Sequence, residues 1–255
     1  MTGLMTTWRA AWSEAMSNRR GFWFEATIMI FNDVIWLVFW ILFFRRVGEI
    51  RGWDIEQLIV LQAILTTGGG ITLGLLANAR HTGHLVLNGG LDAALTMPSS
   101  TLAYLLVRRV QPINVGDIIF GVLLFTFFGN PTVSRTIVYL LGVAIAATIM
   151  TSFLVLAGSS AFYLGRNDGG DLGFHAVLLF AAYPVDVFSG ATKVLLYTVI
   201  PAGFITGIPS RLVDEFDFGS FLACVAVAGG FATAAVYSFN RGLRRYTSGA
   251  VWTTA

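Results

Sequence analysis

The sequence predicts an all-α integral membrane protein: six transmembrane helices, an N-terminal interfacial helix, a short polar-faced helix between spans two and three, and a re-entrant outer-leaflet segment between spans five and six. Three observations predict it. Hydrophobic residues make up 56% of the chain and charged residues 12%, against roughly 25% charged in an ordinary soluble domain, and mean hydropathy is +0.74. Apolar stretches at 22–44, 57–79, 112–129, 137–164, 172–190 and 218–240 meet or approach the about 20 helical residues that cross a hydrocarbon core about 30 Å thick. Three of those stretches hold no charged side chain. Residues 1–255 therefore read as one transmembrane domain.

Residues 1–21 set Leu4, Trp8, Trp12 and Met16 at four-residue intervals, with Arg9, Ser13, Ser17 and Arg20 turned elsewhere. This predicts a helix lying on the membrane with its tryptophans at headgroup depth. Arg9, Glu14, Arg19 and Arg20 leave no apolar core for a cleavable signal peptide. In the first span Asn32 and Asp33 stand at the centre, where an aspartate costs about 2.5 to 3.5 kcal/mol on insertion scales. Asp33 is thus expected to face protein or water, either along a path through the membrane or in a buried structural contact. The second span carries Gly68, Gly69 and Gly70, with Gly74 four residues on. Small residues at that spacing let helices approach closely in lipid, in a sliding or dimerising seam or in ordinary intrachain packing.

The polar stretch 80–111 is where the chain can touch something soluble. Leu87, Leu91 and Leu95 recur every four residues, and Pro98 cannot continue a helix. A short helix lying flat is expected, one side apolar and the other free to dock, its angle set by the turn Asn88-Gly89-Gly90. Asp92 belongs to the same stretch. His81 and His84 are three apart, but no cysteine or carboxylate lies within that segment to complete a metal site. Asp117 falls at the start of the third span, where an acid complements the helix dipole.

Asp186 and Lys193 are seven residues apart and would share a face if their helix were continuous. They flank the stretch 194–210, which is marginal in length and broken by Pro201, Gly203 and Gly207. Basic residues favour cytoplasmic loops. If 194–210 does not cross, Arg9, Arg19, Arg20, Arg80, Arg108, Arg109, Arg166, Arg241, Arg244 and Arg245 lie inside, and Arg45, Arg46, Arg51, Arg135, Lys193 and Arg211 outside. If it crosses, three arginines change sides and the bias reverses. The expectation is therefore six spans with both termini in the cytoplasm, a tail at 241–255, and an outer dip at 191–217 shielded by protein or a wet cavity.

The chemistry excluded is broad. A phosphate-cradling loop needs a Gly-rich turn followed by Lys and Ser or Thr; the only lysine, Lys193, stands between Thr192 and Val194. The net charge of +2 does not point to nucleic acid. Cys224 is the only cysteine and forms no internal disulfide. His175 has no Ser/His/Asp arrangement around it, so no catalytic residues are expected.

Several strings in fixed order resemble a known family. They are Gly52-Trp53 before the second span, Asn88-Gly89-Gly90-Leu91-Asp92 with Leu95 and Pro98, and Gly116-Asp117 with Gly121. Tyr183-Pro184, Phe188, Gly190, Ile200-Pro201 and Pro209 follow. Together they resemble the membrane subunit, or permease, of ATP-binding-cassette type-2 exporters, in the branch of small six-span permeases. One departure is Asn88-Gly89-Gly90, where relatives more often carry a basic residue, Gly and an acidic residue. The resemblance implies that ATP and Mg are bound by a separately encoded ATPase subunit and none by this chain. It implies pairing with a second copy or a homologous permease in the plasma membrane, among lipid and away from nucleic acid. Leu87 to Leu95 with Pro98 would be the cytoplasmic coupling helix that docks into the ATPase. Asn32 and Asp33 would then line the path between two permease halves. Pro184, Asp186, Lys193, Pro201 and Pro209 would shape an outer gate, and the cargo would be a small amphipathic, lipid-linked or peptide molecule. The alternative is an ATP-independent secondary transporter or channel, which predicts charged residues paired near the midplane and inverted repeats. A membrane-embedded enzyme would need polar catalytic residues converging at one depth.

Overall fold

The computed structural model describes residues 2–247. Among them every regular element is a helix, and one β-bridge joins Ile50 to Trp53. α1 (Thr2–Ala15) precedes α2 (Arg19–Val47), whose N-terminus Asn18 caps by accepting from Gly21 N. α3 (Ile55–Gly70) opens on a capping box between Asp54 and Gln57 and runs through a π-helical segment, Ile71–Leu75, towards α4 (Asn78–Leu87). Short helices α5 (Asp92–Leu95) and α6 (Thr101–Val107) lead to α7 (Pro112–Phe128), which has Pro at its first position. α8 (Val133–Gly158) and α9 (Ala161–Leu164) follow, then α10 (Asp168–Ala181), α11 (Gly190–Thr198), a second π-helical segment at Gly203–Gly207, α12 (Ile208–Asp214) and α13 (Phe218–Leu243).

Among the described residues four helices are long and apolar enough to cross a membrane: Arg19–Val47, Ile55–Leu87, Val133–Leu164 and Phe218–Leu243. Two bent pairs bring the number to six if each is one span: Thr101–Val107 with Pro112–Phe128, bent by 78°, and Gly190–Thr198 with Gly203–Asp214, bent by 71°. The stretch 172–190 is not one helix. α10 has 14 residues, about 21 Å at 1.5 Å per residue, and ends before Pro184, whose ring disfavours helical backbone in the residue ahead of it.

α8 is the hub, packed against α3, α4, α10, α12 and α13, while α2 lies chiefly along α7. α3 meets α7 so closely that a Cβ at Gly70 would lie 2.6 Å from Ile118 Cγ1 and 2.8 Å from Asn114 O. One at Gly74 would lie 3.1 Å from the Asn114 carbonyl carbon. Both glycines thus sit in the contact between two helices of the same chain. The outward faces are apolar: only 17% of the crossing windows of α2 and of α13 is buried, and Phe24, Phe31, Ile35, Phe218 and Leu222 are exposed. Such continuous apolar surface needs lipid or another chain against it, and the protein is a multi-pass membrane protein.

The bundle has two ends. One carries α1, the loop around α5, the start of α10 and the end of α13. The other carries Trp53, Asp186, α11 and α12, where Arg135 Nη2 pairs with Asp214 Oδ1 at 2.9 Å.

Candidate functional site

Between α2, α3, α7 and α10 lies a cavity of about 610 Å³. α2 contributes a single stripe, Met29, Asp33, Trp36, Leu37 and Trp40, which follows from the 3.6-residue period. Gln62, Thr66 and Gly69 line it from α3, and Asn114, Asp117 and Phe120 from α7. Phe174, Leu178 and Ala182 line it from α10 and its end. Trp40 and Tyr183 meet at one end with ring centroids 5.5 Å apart. At the other, the Arg80 guanidinium lies 3.7 Å over the Phe174 ring. Gln62 Nε2 donates to Ala182 O at 3.0 Å, tying α3 to the end of α10.

Asp33 is 7% exposed and Asp117 6%, and their carboxyl groups face one another. Gly116 is what brings them together, because any side chain there would run into the Ala26 carbonyl and Met29 Cβ on α2. Asn114 Nδ2 donates to Asp117 Oδ2 at 3.0 Å, while Asp33 Oδ2 has no hydrogen-bond partner among the described residues. Asn32 also lines the cavity but is exposed. The dipole role expected of Asp117 is corrected here. It is the sixth residue of α7, beyond the turn where the dipole acts, and its side chain meets Asp33 instead.

The flat helix expected over Leu87, Leu91 and Leu95 is also corrected. α4 runs to Leu87, the chain turns through Asn88, Gly89 and Gly90, and α5 is only the four residues Asp92–Leu95. Gly89 takes φ +73°, a left-handed backbone that glycine adopts without strain. The break rotates the leucines apart: Leu91 is 0% exposed and packed with Val86, Leu102, Leu105 and Phe239, whereas Leu87 is 40% and Leu95 47% exposed. Met97 is exposed beside Leu95, and so is Pro98. The loop is tied back by Arg108 Nη1, which donates to Gly90 O at 3.4 Å, and by Tyr246 Oη, which donates to Asp92 Oδ1 at 2.8 Å.

At the opposite end, Asp186 accepts from Trp53 Nε1 at 3.1 Å and from Lys193 Nζ at 2.7 Å. Arg211 Nη2 lies 2.8 Å from its Oδ2, and the same guanidinium sits 4.9 Å from the Trp53 ring centre. Asp186 and Lys193 do not share one helix, since Ser189 is extended and Gly190 has φ +60° between them. They meet because the chain folds back. Pro184 is buried ahead of the 3₁₀ turn of Asp186; Pro201 and Pro209 are buried on either side of the second π-helical segment. Burial alone would raise the Asp186 carboxyl, but the hydrogen bonds from Lys193 and Trp53 and the charge of Arg211 hold it below the usual carboxylate range.

His84 Nε2 lies 3.5 Å from Asp171 Oδ1 on α10, and among the described residues no group of three His, Cys, Asp or Glu converges as a metal-ligand set. The contacts that the sequence did not announce are Trp53 and Arg211 at Asp186, Tyr246 at Asp92, and Asp117 at Asp33. Only the last had a readable signal, the glycine beside an in-span acid.

A family model described as ABC-2 family transporter protein matches residues 30–250. No curated protein and no solved structure matches the chain.

Proposed function

The chain belongs to the ABC-2 transporter family as a permease subunit, and from that premise we propose that it is the membrane-spanning part of an ATP-driven exporter. The observation that carries this reading is the cavity of about 610 Å³ inside the bundle, within the roughly 300–1,000 Å³ that holds a small-molecule ligand. The family's membrane subunits are generally non-catalytic and work with an ATP-binding subunit. Here that partner, carrying ATP and Mg, would dock on Leu87, Leu95 and Met97, three apolar side chains exposed together with Pro98 at the arginine-rich end. That end would be cytoplasmic, with both termini, in the plasma membrane. A second permease copy or a homologue would cover the apolar faces left open on α2 and α13. The bent pair α11 and α12, anchored by Asp186, would be the outer dip and the exit gate.

One observation favours the second reading, an ATP-independent transporter: the Asp33 and Asp117 carboxyls are paired at depth, as charge-coupled carriers require. Family membership ranks it below the first. The deciding experiment is purification of the tagged chain from its native membrane in mild detergent, followed by transport in sealed vesicles. An ATP-binding subunit should co-purify, and transport should require it and ATP. Full-rate transport by the chain alone without ATP would overturn the exporter reading in favour of the second.

A further inference from the structure

We infer that the cavity is a binding site for a lipophilic organic cation, its charge set against Asp33 and Asp117 and its apolar body against Trp36, Trp40 and Phe120. The inference rests on the exporter reading for the cation's role as cargo, and on the cavity alone for its binding.

The walls select the class. Asp33 and Asp117 are in side-chain contact, and two acids that close hold one proton between them, so the pair keeps one negative charge beside the cavity. Asn114 serves Asp117, while Asp33 Oδ2 has no donor among the described residues although Asp33 is 7% exposed. A buried negative charge forfeits its hydration, and a positive charge in the adjoining cavity offsets that loss electrostatically. Arg80 does not supply it. Its guanidinium rests on Phe174, and among the described residues it forms an ion pair with neither acid. That contact shows how this cavity accommodates a cation, over an aromatic face. Among the described residues no cation lies over the rings of Trp36 and Trp40. An anion would meet the negative charge of the pair, and a small hydrated metal ion would meet walls that are mostly aromatic and aliphatic. A bulky organic cation satisfies both the charge and the rings, and it fits a volume of about 610 Å³.

The test uses the purified full chain in detergent, equilibrium dialysis, and two ions of like size and opposite charge, tetraphenylphosphonium and tetraphenylborate. The phosphonium carries its charge at every pH. It should bind, and Asp33→Asn and Asp117→Asn should each weaken it by about tenfold or more. Tetraphenylborate should bind weakly, and no less well in those variants. Elution volume and melting temperature report whether the Asn variants remain folded. Trp36→Leu, at a residue 49% exposed, offers an independent arm, with several-fold weaker phosphonium binding expected. Equal binding of the two ions, or unchanged phosphonium binding in all three variants, would overturn the proposal. Dialysis needs neither ATP nor a second subunit. Loss of the ATPase in purification would therefore sink the exporter reading and leave this site standing, and failed binding would do the reverse.

Discussion

Tyr246, three residues beyond the end of α13, donates its hydroxyl to Asp92 Oδ1 at 2.8 Å, so the last long helix and the exposed loop before Pro98 are joined by one side-chain bond. Burial and the Asp92 carboxylate push the phenol up to about 12. A raised value favours the protonated donor in the folded chain. Its contribution is therefore complete below the ordinary tyrosine value of about 10 and lost as pH rises towards 12. Tyr246→Phe should cost about 1 kcal/mol, read as a lower melting temperature. Hydrogen exchange at residues 88–97 should speed up at pH 7 and show no dependence of the wild-type anchor on pH between 6 and 9.

Leu91 and Leu95 are four residues apart and opposite in role. Leu91→Asp places a charge in a fully enclosed apolar cluster and should cost several kcal/mol, about 3 or more, so folded protein should be scarce. Leu95→Asp changes an exposed side chain and should shift stability by no more than about 0.5 kcal/mol. The same substitution should weaken capture of the ATP-binding subunit at least about tenfold in a pull-down. Tight capture by the Leu95→Asp protein would remove this loop from the coupling interface.

That contrast marks what the sequence could carry. Helicity and fit to a bilayer were legible, because 56% hydrophobic residues and long uncharged stretches leave backbone polar groups no partner but their own helix. The break at Pro201 was legible because proline lacks the donor a helix needs, whereas the one at Pro184 fell inside 172–190, a stretch expected to cross whole. A four-residue leucine spacing, however, names one face only while the helix is unbroken. Gly89 in the left-handed region ended that condition. Asp33 announced itself by the cost of its charge, yet its partner Asp117 lies on another helix, and periodicity holds no information about which helices touch.

Glycine spacing between α3 and α7 makes an ordered prediction. Gly70→Ala should destabilise by about 1 to 3 kcal/mol, since the new methyl meets backbone that cannot swing aside: Asn114 O and Ile118 N, each 2.8 Å away. Gly74→Ala, with its nearest atom at 3.1 Å, should cost less. Thermal unfolding of the detergent-solubilised variants gives the ranking, and equal costs would mean that the α3 to α7 contact is set elsewhere. Because Asn114 also donates to Asp117, Gly70→Ala should in addition disturb the acid pair, read as weaker phosphonium binding than in Gly74→Ala.

Asp186 gathers Trp53, Lys193 and Arg211, which come from four separate segments counting its own, and it lies outside the long apolar helices. Its carboxyl is held below the usual range. A depressed value means that the charged form is favoured on folding. The contribution is thus fully present above the ordinary aspartate value of about 3.9 and is lost as pH falls through the lower folded value. Between pH 5 and 8 the anchor should be constant, and only strong acid should loosen α11 and α12. Asp186→Asn removes the charge at every pH and leaves Lys193 and Arg211 facing one another. Because these side chains are partly exposed, with 20% for Asp186, 42% for Lys193 and 49% for Arg211, the cost should be modest, about 1 to 2 kcal/mol. Hydrogen exchange should show residues 190–199 opening in the variant at pH 7 as they do in the wild type only below about pH 4. Exchange that is alike in both proteins at pH 7 would mean that the buried prolines, and not the ion cluster, hold this segment in place.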